Sequence, residues 1–173
     1  MQEAIIFINP NIKYKETYIS GILELQKEGR NLEDNVIELQ NNFEKYLEDV
    51  EKDSKGIELK EGRVPQTVYW MIVDDVFVGR VSIRHYLNEN LLKEGGHIGY
   101  DVIPSKRKNG YGTKLLEYGL EKSKEMKLEK VLITCDEENI GSRKIIEKCG
   151  GVLENIIKNE NAPAKCRFWI NLV

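Results

Sequence analysis

The chain has 173 residues, enough for one domain with one sizeable hydrophobic core. Hydrophobic residues make up 40% and charged residues 32%, which excludes a disordered or membrane-embedded protein. The 26 Lys and Arg against 29 Asp and Glu give a formal charge of −3, whereas a dedicated nucleic-acid binder carries a basic excess. No apolar run approaches the ~20 residues of a membrane-spanning helix, and MQEAIIFINP lacks the features of a secretion signal.

The cysteines and histidines predict neither a disulfide framework nor a metal site. Cys135, Cys149 and Cys166 are odd in number, have no CxxC spacing and do not cluster in sequence with His85 or His97. Free thiols suit a reduced compartment. We therefore expect a cytoplasmic protein without a metal and without a nucleic-acid or membrane partner, and we leave monomer and homodimer both open.

The first third of the chain is predicted to be helical after one short strand. Apolar residues at 4–8 indicate the strand, and apolar residues at helical spacing predict a first helix over about residues 13–28. Asn31, with an Asp three residues later, resembles a helix cap, so we expect a second helix over about residues 32–51. Residues 53–66 show no periodicity and are predicted to form a connection.

The remaining two thirds alternate strands with helices. The predicted elements are a hairpin of residues 68–73 and 76–86, a strand at 97–103, a helix from the glycines at 110 and 112 to 126, a strand at 131–135, a short helix from 139 to 150 and a last strand at 166–172. In the second hairpin arm, Arg80, Ser82 and Arg84 share one face, and His85 lies on the apolar face. This order predicts a mixed α/β fold in one domain, residues 1–173.

A basic turn precedes the helix that starts near residue 111. PSKRKNGYGTK, from Pro104 to Lys114, has four basic residues and no acidic one. Gly110 and Gly112 lie at the helix N-terminus, where free N–H groups and the helix dipole favour an anion such as a pyrophosphate. The alternative is that the glycines merely start a helix and the basic residues form a solvated loop.

Two standard phosphate motifs do not fit this turn. Gly112 is followed by Thr113, so the P-loop pattern GxxxxGK[ST] is absent. Leu115 stands where a Rossmann fingerprint needs a small residue, and one strand-helix-strand unit is visible. Asp136 follows Gly112 by 24 residues, loosely where a ribose ligand would be, so a dinucleotide-binding enzyme stays as a weaker alternative.

Two motifs together resemble the GNAT N-acetyltransferases. Arg107-x-x-Gly110-x-Gly112, after an apolar strand and Pro104, is similar to the Arg/Gln-x-x-Gly-x-Gly/Ala signature of that family. NIGSRKIIEKCGG, which begins at Asn139, resembles the family's Asn-x-x-Ala/Ser helix that ends in Glu-Lys-x-Gly. The spacing between the two motifs, across a buried strand, also matches.

The resemblance covers about residues 68–173, and the helical part at about 13–52 corresponds to the family's variable N-terminal region. It implies a GNAT-type fold, with a central, mixed, mostly antiparallel sheet and helices on both faces. In this family two adjacent parallel strands splay apart to admit the cofactor. Here those strands would be 97–103 and 130–135.

The resemblance also implies acetyl-CoA as the cosubstrate. The turn from Arg107 to Thr113, the signature turn, would wrap the pyrophosphate. The strand end at Val102 would pair with the pantetheine arm, and the Val102 N–H would stabilise the developing oxyanion. Asn139 would bind the arm, with a plain helix cap as the alternative or additional role. The implied cofactor-binding residues are Val102, Ile103, Arg107, Lys108, Asn109, Gly110, Tyr111, Gly112, Thr113, Asn139 and Ser142.

The implied reaction is acetyl transfer to an amine of a small molecule or peptide, by direct attack in a ternary complex. His97 is our candidate base, since it lies on the strand that leads to the cofactor and an imidazole suits proton transfer near neutral pH. The alternative for His97 is a structural role, with its ring bonded to a backbone carbonyl. Asp101, Glu94, His85 and Asp136 are the remaining candidates.

The general acid is where this chain departs from the family. Many members have a Tyr where this chain has Ile146, and a Phe where it has Gly151. Tyr111 is expected to pack or to contact the cofactor rather than to transfer a proton. The missing phenol leaves open a second function, a non-catalytic coenzyme A-binding module on the same fold.

Overall fold

The structure, a computed structural model, describes residues 3–173. The strands are β1 (Ile5–Ile8), β2 (Gln66–Val73), β3 (Val76–Arg84), β4 (Ile98–Val102), β5 (Lys130–Asp136), β6 (Val152–Ile157) and β7 (Lys165–Asn171). The α-helices are α1 (Lys15–Lys27), α2 (Val36–Asn41), α3 (Phe43–Lys55), α4 (Tyr111–Glu125) and α5 (Ile140–Lys148). No helix within residues 3–173 is long and apolar enough to cross a membrane.

The strands form two antiparallel sheets. The first has the order β1-β2-β3-β4 and the second has the order β5-β7-β6. Helices α1 to α3 pack against one face of the first sheet, and α4 packs against the other. The predicted mixed α/β class, with helices on both faces of the sheet, is confirmed.

The two sheets meet between β4 and β5, beside His97. The His97 N–H donates to the C=O of Leu132 at 2.7 Å, and the Leu132 N–H donates to Nδ1 of the His97 ring at 2.9 Å. Beyond this contact β4 and β5 belong to different sheets, and residues 99–101 of one and 134–136 of the other line a common cavity. The predicted separation of these two strands is confirmed.

A hydrophobic core lies on each face of the first sheet. On one face, Val81 and Ile83 of β3 are fully buried beside Leu115 of α4. On the other face, Trp70 of β2 stacks on Tyr18 of α1, with ring centroids 4.3 Å apart. The predicted alternation of β3 therefore holds, and its polar face is turned towards α1 to α3.

The predicted second helix is wrong in its extent, because the chain forms two helices there. Asn42 separates α2 from α3 with φ −146° and ψ 67°, and its side chain caps α3 by accepting the Lys45 N–H at 3.3 Å. Asn35, rather than Asn31, caps α2. The apolar stripe continues across the break, which is why the periodicity alone predicts one helix.

Strand β6 is absent from the prediction. It is an edge strand whose residues are mostly exposed, and its pairing with β7 shifts register between Leu153 and Asn155. An exposed edge strand has no buried face to impose an alternating pattern. Only its pairing with β7 identifies it.

Candidate functional site

The gap between β4 and β5 is called the splay. His97 lies at its closed end, where the two strands are hydrogen-bonded, and is 7% exposed. Its Nδ1 accepts the Leu132 N–H, and a neutral imidazole has one unprotonated nitrogen, so Nε2 carries the proton. Burial, reinforced by the charge of Arg84, lowers the pKa of His97 to about 4. The ring is thus neutral near pH 7 and its basic nitrogen is engaged, although with a backbone N–H rather than the carbonyl we considered.

The inner edge of β4, which faces away from β3, carries two backbone donors. Ile103 donates its N–H to the Val78 C=O of β3 at 3.0 Å, which fixes the phase of the ladder. Because alternate residues of an antiparallel strand pair with the same neighbour, the N–H groups of Tyr100 and Val102 point away from β3, towards β5. The direction of the Val102 N–H suits the predicted oxyanion donor, and Tyr100 supplies a second donor one step deeper in the splay.

Other backbone groups at this strand end are engaged within the protein. Besides its bond to Val78, Ile103 accepts the Lys106 N–H on its C=O at 3.0 Å. Nε of Arg107 donates to the Val102 C=O at 3.2 Å. Of the groups predicted to pair with pantetheine, the Val102 N–H is therefore the one that this conformation directs away from β3 without a partner inside the protein.

At the end of the signature turn, the backbone N–H groups that start α4 are not capped by a side chain. Gly110 has φ 79° and immediately precedes α4, and it makes no side-chain cap. Lys108 also lies in the left-handed region, with φ 65°. Asn109 donates from Nδ2 to two carbonyls of the same turn, at 3.1 and 3.2 Å. The turn is thus built from its own residues, and the first-turn N–H groups of α4 are left for a ligand.

The charge around this turn is positive. The first turn of α4 contains no acidic residue, and the side chains of Lys108 and Lys114 are exposed beside it. An uncapped helix N-terminus flanked by lysines fits the pyrophosphate of acetyl-CoA. Gly112 lies against α5, since a Cβ there would be 2.8 Å from the Cδ1 of Ile145. Tyr111 turns into the core and donates to Glu3 at 2.9 Å, which is a packing role.

Two carboxylates at the C-terminal end of α1 hold the signature turn from outside. Glu28 accepts two bonds from the Arg107 guanidinium, at 2.7 and 3.0 Å. Glu24 accepts the Ser105 N–H at 2.9 Å and the Ser105 hydroxyl at 3.0 Å. The Arg107 side chain, predicted to lie near the phosphates, is directed to α1 in this structure.

Asn139 caps α5, the alternative role given above. Its Oδ1 accepts the Ser142 N–H at 3.1 Å, and both residues line the cavity. The cap uses the side-chain oxygen, so the amide NH2 group of Asn139 can still donate to a cofactor carbonyl. Thr113 is half-buried in the first turn of α4.

A phenol lies in the splay, but not at the position where the family has one. Ile146 is fully buried in the core. Tyr100 of β4 reaches across to α5, where its hydroxyl donates to the Ser142 C=O at 3.5 Å. Burial raises the pKa of Tyr100 to about 12, so the hydroxyl is protonated at neutral pH. The sequence motifs do not single out Tyr100. Its position two residues before Val102 on the same strand is the signal that could have identified it.

The cavity has a volume of about 980 Å³ and extends from the splay to helix α3. The polar face of β3 forms one wall, with Arg80, Ser82 and Arg84 in sequence along it. Arg80 donates to the Tyr18 hydroxyl at 3.1 Å and to Asp34 at 3.3 Å. The structure therefore brings the predicted polar face of β3 and the splay together around one space.

The remaining candidate bases differ in their access to this space. Asp101 lines the cavity and is paired with Arg30, while Asp136 lines it and is paired with Lys165. Nε2 of His85 lies 2.9 Å from a threonine hydroxyl outside the cavity, and burial lowers its pKa.

Glu94 contributes to the structure through its backbone. The residue is exposed, and its backbone C=O accepts the Thr134 hydroxyl at 2.5 Å. This bond adds to the contact between the two sheets close to the closed end of the splay. The carboxylate itself has no hydrogen-bond partner among residues 3–173, so Glu94 contributes here through its backbone.

The family model for the acetyltransferase (GNAT) domain matches residues 31–152, more than half of the chain. The protein belongs to the GNAT acetyltransferase family. The match also includes α2 and α3, which the motifs alone left outside the resemblance.

Individual relatives agree with this assignment. The uncharacterized N-acetyltransferase YnaD of Bacillus subtilis strain 168 is 29% identical over 100 residues, covering 56% of this chain and 54% of the relative, about half its length. The structure of yncA, a putative acetyltransferase from Salmonella typhimurium with acetyl-CoA, has a TM-score of 0.64 at 14% identity, covering 99% of this chain and 94% of that one. Mycobacterium smegmatis RimJ, in complex with CoA-disulfide, has a TM-score of 0.73 at 17% identity, covering 96% and 81%. At such identities the two structures show a common fold.

Proposed function

We propose that the protein is an acetyl-CoA-dependent N-acetyltransferase that acetylates an amine of a small molecule or peptide by direct attack in a ternary complex. The observation that carries this proposal is the junction at His97. There the sheet divides, the inner edge of β4 faces a cavity at residues 98–101, and the uncapped N-terminus of α4 follows the other end of β4.

The chain's own groups account for cofactor binding. Acetyl-CoA supplies the acetyl group as an activated thioester when it is bound. The turn of residues 107–113 holds the pyrophosphate, and the NH2 group of Asn139 donates to the pantetheine arm. The N–H groups of Tyr100 and Val102 point towards the acyl oxygen and stabilise the negative charge that develops on it.

Proton transfer is divided among different residues from those of many family members. The Tyr100 hydroxyl is placed to donate to the departing thiolate, in the role for which Ile146 offers no phenol. His97 positions β4 against β5 rather than taking the amine proton, because its Nδ1 already accepts a backbone bond. Asp101 is the candidate base that lines the cavity next to the donors of β4.

Calorimetric titration with acetyl-CoA tests the cofactor site. We expect micromolar binding, and we expect Lys108→Gln to weaken it several-fold, more at low salt than at high salt. Lys127→Gln is the matched control, since Lys127 is also an exposed lysine with positive φ but lies beyond the other end of α4. Absence of binding at millimolar acetyl-CoA would contradict the proposal.

A thiol-release assay separates transfer from binding alone. The buried Ile146 favours a second candidate, a coenzyme A-binding module without activity. Cofactor-dependent thiol release with any member of a panel of amines and N-terminal peptides eliminates that candidate. Tight acetyl-CoA binding without release on the whole panel supports it.

A further inference from the structure

Two arginines on the same face of β3 have opposite electrostatic surroundings. Arg80 is flanked by Asp34 at 3.3 Å and by Asp101 at 4.0 Å. Although burial alone would lower the pKa of Arg80, Tyr18 together with these carboxylates raises it. Arg84, two residues further along, has no carboxylate within salt-bridge distance in the described chain, residues 3–173. One positive charge on this wall is neutralised and the other is not.

Arg84 is nonetheless held firmly. Its NH1 group donates to the C=O of Gly95 and to the C=O of Gly96, both at 3.0 Å. Arg84 is half-buried and lines the cavity together with Arg63. Burial, followed by the positive charge of Arg63, lowers the pKa of Arg84. A fixed, partly desolvated guanidinium with a second arginine beside it is a strong site for an anion.

The position of Arg84 separates this anion from the cofactor phosphates. Arg84 bonds to His97 just before β4, whereas the signature turn follows the other end of that strand. Five residues of strand intervene, roughly 15 Å. The bound anion is therefore a different group from the pyrophosphate.

The same ladder relates Arg84 to the donors of β4. Ser82 pairs with Gly99, the neighbour of the Tyr100 donor, and Arg84 lies two residues, about 7 Å, beyond Ser82. Tyr100 itself pairs with Val81, which is three residues, roughly 10 Å, from Arg84 along β3. An acceptor whose amine reaches the inner edge of β4 and whose other end reaches Arg84 therefore carries an anionic group at that other end.

We propose that Arg84, assisted by Arg63, binds a carboxylate of the acceptor, so that the substrate is an amine that also bears a carboxylate. This inference rests on the proposed acetyltransferase function and specifies its substrate class. A free amino acid and a peptide with an acidic residue next to its N-terminus share this chemistry. The guanidinium forms a two-pronged bond with the carboxylate and orients the amine towards β4.

The decisive measurement is a ratio between paired acceptors. We compare kcat/KM within two pairs of acceptors. The first pair is a free amino acid and its decarboxylated amine, and the second is a peptide with N-terminal Ala-Glu and its Ala-Gln counterpart. We expect the wild type to prefer the carboxylate of one pair at least thirtyfold, and the preferred pair distinguishes the two sources. Arg84→Gln should reduce that preference at least tenfold and leave the KM for acetyl-CoA unchanged.

Two controls separate a substrate contact from a structural role. Arg143→Gln, outside the cavity, should leave the ratio unchanged, and Arg84→Lys should restore part of it. A variant that is merely misfolded loses both members of a pair equally. An unchanged ratio in Arg84→Gln, or a wild type without preference in either pair, overturns the proposal.

A binding experiment keeps this test independent of activity. Calorimetry on the coenzyme A-saturated protein compares an N-acetylated amino acid with the N-acetylated amine that lacks its carboxylate, and repeats this with N-acetylated Ala-Glu and Ala-Gln. Carboxylate-dependent binding that Arg84→Gln abolishes supports the subsite even if no amine is acetylated, in which case only the transferase function fails. Equal binding within both pairs contradicts the subsite.

Discussion

A histidine that accepts a buried backbone N–H makes the junction of the two sheets sensitive to acid. The pKa of His97 is lowered from 6.5 to about 4, so the unfolded chain takes up the proton first as the pH falls. The free energy of unfolding therefore decreases between pH 6.5 and pH 4, by at most about 3 kcal/mol from this residue. Above pH 6.5 the residue imposes no such cost.

We predict that His97→Asn flattens this part of the stability profile. The Asn Oδ1 can accept the Leu132 N–H in place of Nδ1, and it does not titrate. Urea unfolding at pH 7 and at pH 4.5 should show a smaller difference in the variant than in the wild type, and turnover at pH 7 should stay within about fivefold. Loss of turnover with stability and cofactor affinity intact would instead identify His97 as the base.

A second prediction at the scale of one residue concerns the phenol in the splay. Tyr100→Phe removes the proton donor and retains the ring, so we expect kcat to fall about tenfold while the KM for acetyl-CoA changes less than twofold. Tyr118→Phe is the control, because that ring stacks on Phe7, outside the splay. Steady-state kinetics with one amine measures both. An unchanged kcat in Tyr100→Phe would leave water as the proton source.

Among the elements, the loop between β3 and β4 depends on a glycine. Gly96 has φ 66° and ψ −174°, and a Cβ there would lie 2.5 Å from the Leu132 C=O. We predict that Gly96→Ala pushes β4 from β5 and costs several kcal/mol. Gly62→Ala should cost about 1 kcal/mol, since Gly62 has a φ of 76° but nothing within 4 Å. Thermal and urea unfolding compare the two, and equal losses would show that the contact with β5 is unimportant.

The elements predicted from periodicity are those with one buried face. Strand β3 alternates over residues 80–84 because one side is covered by α4 and the other lines the cavity. The β2–β3 hairpin turns at Asp74 and Asp75, both with positive φ. Asn42 interrupts a helical stripe through its side-chain cap, a choice that propensity does not resolve. Strand β6 exists through its partner β7, whose paired residues lie 8 to 17 positions further along the chain, and the pattern of β6 alone does not predict this pairing.

Some features of the site likewise depend on local sequence, and others depend on contacts between segments that are distant in sequence. The signature turn is local, so the four basic residues around Gly110 identify it on an otherwise acidic chain. The contrast between Arg80 and Arg84 is not local, because Asp34 belongs to a segment 46 residues away. The pairing of the Arg107 side chain with Glu28 likewise depends on where α1 packs.

For the whole molecule, the cofactor turn and helix α1 form one unit. Glu24 and Glu28 bind the turn, and the opposite side of α1 packs in the core that contains Tyr18 and Trp70. Ordering of the turn by a ligand should therefore be transmitted to α1. The helix in turn lies beside residues 30–34, which line the acceptor side of the cavity.

We predict that acetyl-CoA slows hydrogen exchange in the last two turns of α1 several-fold, although the helix is not expected to touch it. The double variant Glu24→Ala, Glu28→Ala should lose this protection while still binding acetyl-CoA. Glu16→Ala, at the other end of α1, should retain it. Mass spectrometry of peptides from this helix makes the comparison, and protection that persists in the double variant would exclude the carboxylates as the connection.

Dividing one sheet into two gives the molecule four strand edges instead of two. An exposed edge ordinarily invites pairing with a foreign chain, the first step of aggregation. Here the two additional edges, β4 and β5, face each other and diverge from His97, so neither presents a flat, accessible border to another sheet. A narrow extended ligand can enter between these two edges, whereas a second protein cannot. The fold therefore offers backbone groups to a ligand without an exposed strand edge that promotes aggregation.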